Sequence, residues 1–351
     1  MRLMRIAFVS PVSISHYAGC EKWIVGTANA LTKRGHKVDV YATPYSPRRN
    51  VDPRVVLHSD VEYFEDWFFN LSDEYDVVYS VYTPFVWRLF KTKSPKIAGL
   101  HYHLCFPSKL EEEILNDVIL AFRYYDPVSV LTYWTFRVLG KWDIKAFDAV
   151  HVPNNPFSLS IPHENVYFIP NWIDLDLFKP TKNKRENFTI LFVGRHDWEK
   201  GWFDYNVICK VLTKYGYTIN CVSTGEGSEY VRGLGFLSDK EIVNLYSESH
   251  LLVHPSKSDM FGLVILEALA CNTPVITTNI DAHKALGLPL MYADTLMEFI
   301  ERILEIYRLW SKGNYEEKFS DLRSHVMKYD INRIIPRIES MLKDLTIREI
   351  S

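Results

Sequence analysis

Short apolar runs recur through the first half of the chain, each followed by a polar loop and a segment with helix-like spacing of apolar residues. They lie at residues 5–10, 37–42, 75–81, 96–101 and 148–153. Strands that are apolar on both faces and alternate with helices are typical of a parallel sheet covered on both sides. The pattern therefore predicts a doubly wound α/β fold for this half.

The same alternation starts again in the second half. Apolar runs lie at residues 187–195, 218–225, 250–256 and 273–279. Two sets of parallel strands with helices between them predict two Rossmann-like domains, since one hydrophobic core seldom spans so long a chain.

The domain boundaries follow from the polar stretch 179–187, which we predict to be the linker. We assign residues 1–180 to the first domain and 181–325 to the second. Residues 326–351 are predicted to form a C-terminal helix that packs back toward the first domain.

Three local signals refine these elements. Gly35 lies where the first helix should stop, because glycine accepts the left-handed conformation of a helix end. Pro336 should kink or start a helix near the C-terminus. The aromatic segment 128–142 has amphipathic spacing, and we favour core packing over membrane contact for its apolar face.

Composition and charge exclude several classes of protein. Hydrophobic residues make up 47% and charged residues 24% of the chain, which is typical of a globular protein and not of a disordered one. The formal net charge is -3, which gives no overall electrostatic reason to bind nucleic acid. Neutral or small anionic partners fit this balance better.

The cysteines and the N-terminus indicate a cytoplasmic protein. The five cysteines are odd in number and have no C-x-x-C spacing, so we expect reduced thiols and no structural zinc. The opening basic and apolar stretch is too short for a signal peptide and is interrupted by Pro11. No run of about 20 apolar residues that could span a bilayer is present.

Two carboxylates lie beside and within the apolar run 260–270. Asp259 precedes the run and Glu267 interrupts it. If the intervening residues were all helical, the rise would be about 12 Å, beyond the separation of about 5 to 9.5 Å found in glycoside hydrolases. The two acids could instead hold two ends of an extended, hydroxyl-bearing ligand. The alternative makes Glu267 a hydrogen-bonded core acid and Asp259 an N-cap.

The start of this helix is a candidate anion site. The sequence "MFGL" predicts free backbone N–H groups at Gly262 and Leu263, at the positive end of the helix dipole. Asn272 follows the last apolar turn, where a left-handed helix stop is expected.

A cationic turn follows the first strand of the second domain. The sequence "LFVGRHDWEKGW", residues 191–202, carries Arg195 and Lys200. Ligands of doubly wound sheets bind at the C-terminal ends of strands, and cations at that edge suit a diphosphate. A solvated charged turn is the alternative for this segment taken by itself.

Together these segments resemble the retaining glycosyltransferases of family 4, the glycosyl transferases group 1, which have the GT-B architecture of two Rossmann-like domains facing across a cleft. The order and spacing match the family over nearly the whole chain. The segments that carry the resemblance are "AGCEK", "GHKVDV", "FIPNWIDLDLFKP", "VGRHDWEKG", "STGEG", "GFLSDKEIVNLYSESHLLVHPS" and "SDMFGLVILEALACNTPVI".

The resemblance implies roles for individual residues of the second domain, which would bind the nucleotide sugar. Arg195 and Lys200 would bind the donor diphosphate, helped by the backbone at Gly262 and Leu263. Asp259 takes the first acidic position of the family's E-x7-E motif and would contact the donor sugar. The second acid of that motif, which would hold the nucleotide ribose, is Glu267.

In the first domain, which would bind the acceptor, the resemblance implies two further positions. Gly19 would lie under the diphosphate and near the acceptor. His101 matches the histidine placed close to the reacting carbon, with His103 as its nearby competitor and a structural histidine as the alternative.

The sequence departs from the family pattern at four positions. Asp259 replaces the usual glutamate and is one methylene shorter, which puts the contact with the donor sugar in doubt. Ala18 and Trp172 replace glycines of two other motifs, and Asn272 replaces a third glycine at a position that asparagine tolerates.

We therefore predict a metal-independent, retaining hexosyltransferase that uses a UDP-, GDP- or ADP-sugar and a hydroxyl acceptor such as a glycan, a lipid-linked glycan or a small molecule. Family members often act on lipid-linked glycans, which leaves peripheral contact with the cytosolic membrane face open. One alternative is a catalytically retired sugar-nucleotide-binding or scaffold protein. A dinucleotide oxidoreductase fits less well, because Tyr230 stands at the third glycine of the G-x-G-x-x-G pattern that starts at Gly225.

Overall fold

The computed structural model describes residues 3–71, 75–102, 127–154 and 161–348. The chain divides into two compact units, Met1–Trp172 with Asn332–Ser351, and Ile173–Ile331. The segment predicted to be a linker, 179–187, is held within the second unit, since the Arg185 guanidinium lies 2.9 Å from Glu248.

A parallel sheet forms the centre of the first unit. Its strand order is β3-β2-β1-β5-β7-β8-β9, and a separate short pair joins β4 to β6. The strands are β1 (Arg5–Ser10), β2 (Lys37–Ala42), β3 (Glu62–Glu65), β4 (Phe69–Asn70), β5 (Val77–Val81), β6 (Phe90–Lys91), β7 (Lys96–Gly99), β8 (Ala149–Val152) and β9 (Val166–Phe168).

A second parallel sheet forms the centre of the second unit. Its strand order is β12-β11-β10-β13-β14-β15. The strands are β10 (Thr189–Phe192), β11 (Asn220–Ser223), β12 (Arg232–Gly233), β13 (Leu251–His254), β14 (Val275–Thr277) and β15 (Met291–Tyr292).

Helices connect the strands in both units, as the crossover of a parallel sheet requires. They are α1 (Gly19–Lys33), α2 (Pro53–Val56), α3 (Pro127–Asp143), α4 (Trp202–Lys214), α5 (Asp239–Glu248), α6 (Leu263–Ala270), α7 (Asp281–Lys284), α8 (Leu296–Ser311), α9 (Tyr315–Phe319) and α10 (Ile331–Arg348). Short 3₁₀ turns lie at Ile14–His16, Val86–Leu89, Ile144–Ala146 and Arg323–Tyr329.

The predicted strands and helix ends are largely confirmed. Every apolar run that we predicted to be a strand contains one. After α1, Gly35 has a φ of 92°, and after α6, Asn272 has a φ of 55°, so both take the left-handed conformation expected of a helix stop. Pro336 lies inside α10, which begins at Ile331, so this proline does not start the helix, and the alternative that it kinks the helix stays a prediction.

The expected core packing of the aromatic segment 128–142 is wrong for one face of α3. Leu131 is 64%, Val138 67% and Trp142 82% exposed. Their spacing of seven and four residues places them on one side of the helix, while Val130 is fully buried. Within the described ranges, no helix has the length and apolar character needed to cross a bilayer.

Helix α6 lies in the core of the second unit. Five of its residues are fully buried: Ile265, Leu266, Ala268, Leu269 and Ala270. The Arg323 guanidinium donates to the carbonyl oxygen of Ala270 at 3.0 Å and to that of Leu175 at 2.6 Å. A cation is favourable at this negative end of the helix dipole, so Arg323 holds the C-terminal end of α6 in place.

Candidate functional site

The C-terminal ends of β10 and β13 bring two loops together at one edge of the second sheet. The turn after β10 contains Gly201, which has a φ of 76°. A Cβ atom there would lie 2.1 Å from the carbonyl oxygen of Pro255, in the loop after β13. Only glycine allows this close approach, so the cationic turn packs directly against the segment that leads to Asp259.

The Asp259 carboxylate is the meeting point of these loops. Its Oδ2 atom lies 3.3 Å from Lys200 Nζ, 3.2 Å from His254 Nε2 and 3.7 Å from His283 Nε2. These three groups come from three separate places in the chain, since Lys200 lies in the turn after β10, His254 ends β13 and His283 lies in α7. The carboxylate is only 14% exposed, so its charge is neutralised mainly by these neighbours.

The other oxygen of Asp259 corrects one of our expectations. The Gly262 N–H donates to Asp259 Oδ1 at 3.1 Å, so this amide is not free as the sequence predicted. Asp259 therefore accepts a hydrogen bond in the turn before α6 and also forms an ion pair, but the N-cap residue of this helix is Gly262 and not, as the alternative interpretation held, Asp259. A ligand anion that uses the Gly262 amide has to replace this contact.

The pKa values at this cluster indicate an anionic aspartate beside a neutral histidine. Burial would raise the pKa of Asp259, but the Lys200 ammonium and the hydrogen bond from His254 outweigh it and hold the pKa well below its ordinary value. Burial lowers the pKa of His254 to about 4. Lys200 is therefore the permanent cation that faces this carboxylate.

Helix α6 begins at this edge. Gly262 is its N-cap residue with a φ of 82°, and Leu263 is its first helical residue. Glu267 is half-buried one turn further along, and its Oε2 atom accepts a hydrogen bond of 2.8 Å from the Tyr246 hydroxyl. The buried acid thus has a donor on α5, as a carboxylate in an apolar helix requires.

Arg195 lies on the same turn as Lys200 but is more exposed and has different charged partners. It is 59% exposed, and its guanidinium lies 3.1 Å from Asp197 and 2.8 Å from Glu199. The structure thus brings Lys200, Asp259 and Gly262 into direct contact, while Arg195 pairs with acids of its own turn. An anionic ligand would compete with Asp197 and Glu199 for this guanidinium.

One group of described residues has the geometry to hold a metal ion. His254, Asp259 and His283 offer ligand atoms within 4.8 Å of one another. The Lys200 ammonium already lies 3.3 Å from the same aspartate oxygen, so a divalent cation would have to displace it. Histidine and carboxylate ligands of this kind suit zinc or a similar transition metal.

Sequence reasoning missed both histidines of this cluster. His254 lies within a quoted family segment, and His283 follows β14, which also ends at this edge. The available signal was a histidine at the end of one predicted strand and a second histidine in the segment that follows the neighbouring strand. A third missed histidine, His196, stacks on Trp202 with ring centroids 3.7 Å apart and contacts the carbonyl oxygen of Thr224 through Nε2 at 2.6 Å.

The first unit holds the remaining two predicted residues. Gly19 is exposed and is the first residue of α1. His101 follows β7, and its Nε2 atom lies 2.9 Å from the Tyr79 hydroxyl, while its ring centroid lies 4.3 Å from that of Trp23. His103, the competitor of His101, lies outside the described residues.

Two of the residues that depart from the family pattern have clear structural partners in this unit. Ala18 is the N-cap of α1, and its N–H donates to Glu21 at 3.0 Å. The Trp172 ring packs against α1 where Gly26 lacks a side chain, since a Cβ atom there would lie 2.0 Å from the ring. Its indole N–H also donates to Thr27 at 2.9 Å.

Comparison with known sequences gives a consistent set of relatives. Residues 174–285 match a family model described as glycosyl transferases group 1. One component of the human phosphatidylinositol N-acetylglucosaminyltransferase is 23% identical over 330 residues, which cover 86% of this chain and 66% of that protein. The phosphatidyl-myo-inositol mannosyltransferase of Propionibacterium freudenreichii subsp. shermanii is 24% identical over 304 residues, which cover 80% of this chain and 78% of that protein.

Solved structures extend the similarity over nearly the whole chain. The sucrose-phosphate synthase of Thermosynechococcus elongatus has a TM-score of 0.75 at 17% identity and covers 98% of this chain and 100% of its own. Anabaena HepE, solved in complex with UDP-glucose, has a TM-score of 0.68 at 17% identity, with coverages of 97% and 100%. Identities this low establish the fold, and the predicted α/β fold of the GT-B type is confirmed.

Proposed function

We propose that this chain, which has the GT-B fold and whose residues 174–285 match the glycosyl transferases group 1, moves a hexosyl group from a nucleotide-diphosphate sugar to a hydroxyl acceptor. We further propose that the reaction retains configuration and that the chain is a member of family 4. The donor carries a UDP, GDP or ADP group. The observation that carries the proposal is the contact of Lys200 with Asp259 at the C-terminal edge of the second sheet.

The diphosphate is the part of the donor that this edge suits best. Lys200 is held 3.3 Å from Asp259 and is 21% exposed, so its ammonium is both positioned and accessible to a ligand. Arg195 can fork two phosphate oxygens once it leaves Asp197 and Glu199. The start of α6 at Leu263 adds the positive end of a helix dipole, so the leaving diphosphate is stabilised by the chain's own groups.

The two carboxylates would hold hydroxyl groups of the donor. Asp259 contacts the donor sugar. Its short side chain already accepts a hydrogen bond from the Gly262 amide, and this bond fixes the orientation of the carboxylate. Glu267 holds the ribose, since the hydrogen bond from Tyr246 occupies only one of its acceptor sites and leaves others for hydroxyl donors. Gly19 and His101 in the first unit serve the acceptor side of the reaction.

The reaction is mainly electrostatic and positional. The diphosphate leaves toward Lys200, Arg195 and the start of α6 while the acceptor hydroxyl attacks from the same face of the sugar. We place the enzyme in the cytoplasm, with peripheral contact at the cytosolic membrane face where the acceptor is lipid-linked.

Incubation with a panel of UDP-, GDP- and ADP-sugars tests the proposal. We expect release of one nucleoside diphosphate, measured by chromatography, and an increase in that release when a suitable hydroxyl acceptor is added. Binding without turnover would instead favour the catalytically retired sugar-nucleotide-binding protein. If no donor is bound or cleaved, the proposal is wrong.

Chelation tests the proposed independence from metals. We expect unchanged release of nucleoside diphosphate after dialysis against EDTA, because Lys200 and Arg195 supply the cationic charge. A loss of activity that a divalent cation restores would contradict this. It would then point to the group formed by His254, Asp259 and His283 as the metal site.

Replacement of Glu267 by glutamine tests the proposed ribose contact. The variant keeps the side-chain size and the partner Tyr246, but a neutral amide accepts hydroxyl hydrogen bonds more weakly than a carboxylate. We expect the KM for the donor to rise about tenfold, equivalent to about 1.4 kcal/mol, with little change in kcat. Glu248→Gln, in the same unit and paired with Arg185, is the control and should leave KM unchanged.

A further inference from the structure

A chain of hydrogen bonds crosses the first sheet beside the glycine that ends β7. Tyr79 on β5 and His151 on β8 lie on opposite sides of β7, whose last residue is Gly99. A Cβ atom at Gly99 would lie 2.1 Å from the Tyr79 hydroxyl oxygen. The missing side chain therefore makes room for the hydroxyl to reach across β7.

The hydroxyl contacts two histidines. Tyr79 Oη lies 2.6 Å from His151 Nδ1 and 2.9 Å from His101 Nε2. The far nitrogen of His151, Nε2, lies 2.8 Å from the backbone carbonyl oxygen of Ile169. Tyr79 and His151 are fully buried, so these polar atoms depend on one another for hydrogen bonds.

The direction of each hydrogen bond follows from the groups involved. A carbonyl oxygen only accepts, so His151 Nε2 carries a hydrogen and donates to Ile169. In a neutral ring the other nitrogen, Nδ1, is then an acceptor, and the Tyr79 hydroxyl donates its single hydrogen to it. The Tyr79 oxygen can therefore only accept from His101, which must carry its hydrogen on Nε2.

The charge states agree with this assignment. Burial lowers the pKa of His151 to about 4, so its ring is neutral at ordinary pH. Removal from water also lowers the pKa of His101 well below its usual value, and His151 lowers it further. Burial raises the pKa of the Tyr79 hydroxyl well above its usual value, so this group keeps its hydrogen.

We infer that Tyr79 and His151 are positioning residues that hold His101 in its Nε2–H tautomer, so that His101 offers its Nδ1 lone pair as a hydrogen-bond acceptor for a hydroxyl group. The bond to Tyr79 also fixes the ring orientation, with Trp23 against the ring. A neutral imidazole with this tautomer accepts a hydrogen bond from a hydroxyl group. It carries no positive charge that would attract a phosphate. For its effect on turnover, the inference rests on the proposed role of His101 beside the acceptor.

Nuclear magnetic resonance of the protein labelled with ¹⁵N-histidine tests the tautomer directly and without any substrate. We expect His101 and His151, assigned with the variants His101→Asn and His151→Gln, each to show a protonated Nε2 and an unprotonated Nδ1 at pH 7.5. A protonated Nδ1 on either ring in the wild-type protein would overturn the inference. The two variants serve only to assign the signals, and the tautomers are determined in the folded wild-type protein.

The variant Tyr79→Phe keeps the aromatic ring and removes the hydroxyl. We expect the His101 signals to change from one tautomer to a mixture, and the turnover of a donor sugar to fall about tenfold or more, as for other partners that orient a functional histidine. Tyr82→Phe is the matched control, since its buried hydroxyl donates to the Gly140 carbonyl. It should leave the His101 signals unchanged.

The outcomes separate this inference from the proposed function. Unchanged His101 signals in Tyr79→Phe would refute the positioning role, whatever the activity. The expected change in tautomer, in a protein that cleaves no donor sugar, would support the positioning role while refuting the proposed transferase. A fall in turnover that Tyr82→Phe reproduces would assign the effect on activity to stability instead of tautomer control.

Discussion

We expect Lys200→Ala to lower kcat for the release of nucleoside diphosphate by about 100-fold to 1000-fold, the range found when one preorganised donor to a developing negative charge is removed. Lys200 is the cation in direct contact with Asp259, at 3.3 Å, and it lies at the edge of the sheet where the diphosphate should leave. The measurement is the steady-state rate with the donor sugar that the panel identifies. Lys200→Arg keeps the charge and should retain more of the rate than alanine does.

A loss of folding has to be separated from this loss of rate, because Lys200→Ala also removes the main charge partner of a nearly buried carboxylate. The double variant Lys200→Ala/Asp259→Asn removes both charges, so it should recover most of the thermal stability but none of the rate. Lys257→Ala removes a neighbouring lysine that pairs with Asp204 and is 22% exposed, close to the 21% of Lys200. It is therefore a matched control, and its rate should stay within about twofold of wild type. An equal loss in Lys257→Ala would contradict a specific role for Lys200.

The inner strands of both sheets could be predicted from the sequence because each is a mostly apolar run, as in "RIAFVS" for β1. The strands that were missed are short and lie toward the sheet edges. β12 consists of Arg232 and Gly233, which carry no apolar pattern and pair only because β11 lies beside them. β3 has the sequence EYFE, in which polar residues flank the apolar pair. Such strands are defined by their neighbour and not by their own composition.

The candidate site was predictable in its residue types but not in its contacts. A cationic turn after one strand and an acid after another could be placed at the same edge, because parallel strands end together. The contact between Lys200 and Asp259 depends on the close approach of Gly201 to Pro255, which the sequence does not specify. For the same reason, the sequence did not predict the hydrogen bond from the Gly262 N–H to Asp259. Nor did it predict that His283 lies beside that acid.

Glu339 links the C-terminal helix α10 to the rest of the first unit, and its replacement is the second change for which we expect a large effect, here on stability. Glu339 on α10 is 3% exposed, and its carboxylate lies 2.7 Å from the Arg34 guanidinium and 3.2 Å from His36 Nε2. His36 Nδ1 accepts from the Met4 N–H at 3.1 Å, so Nε2 holds the hydrogen that faces Glu339. Burial would raise the pKa of Glu339, but hydrogen bonds from Lys343, Arg34 and His36 outweigh it and lower the pKa to about 2.

Glu339→Gln should therefore lower the free energy of unfolding at pH 7 by about 2 kcal/mol, because it leaves Arg34 and His36 without their anionic partner. The folded pKa lies below the unfolded value of about 4.3, so the carboxylate contributes its full stability above that value and loses it as the pH falls toward 2. Urea unfolding of the variant and of wild type from pH 7 to pH 3 should show a difference that shrinks below about pH 4.5. Lys343→Ala removes a partner that is 27% exposed and should cost less than about 1 kcal/mol. A difference between Glu339→Gln and wild type that stays constant over this pH range would mean that packing of the side chain, and not its charge, holds α10 in place.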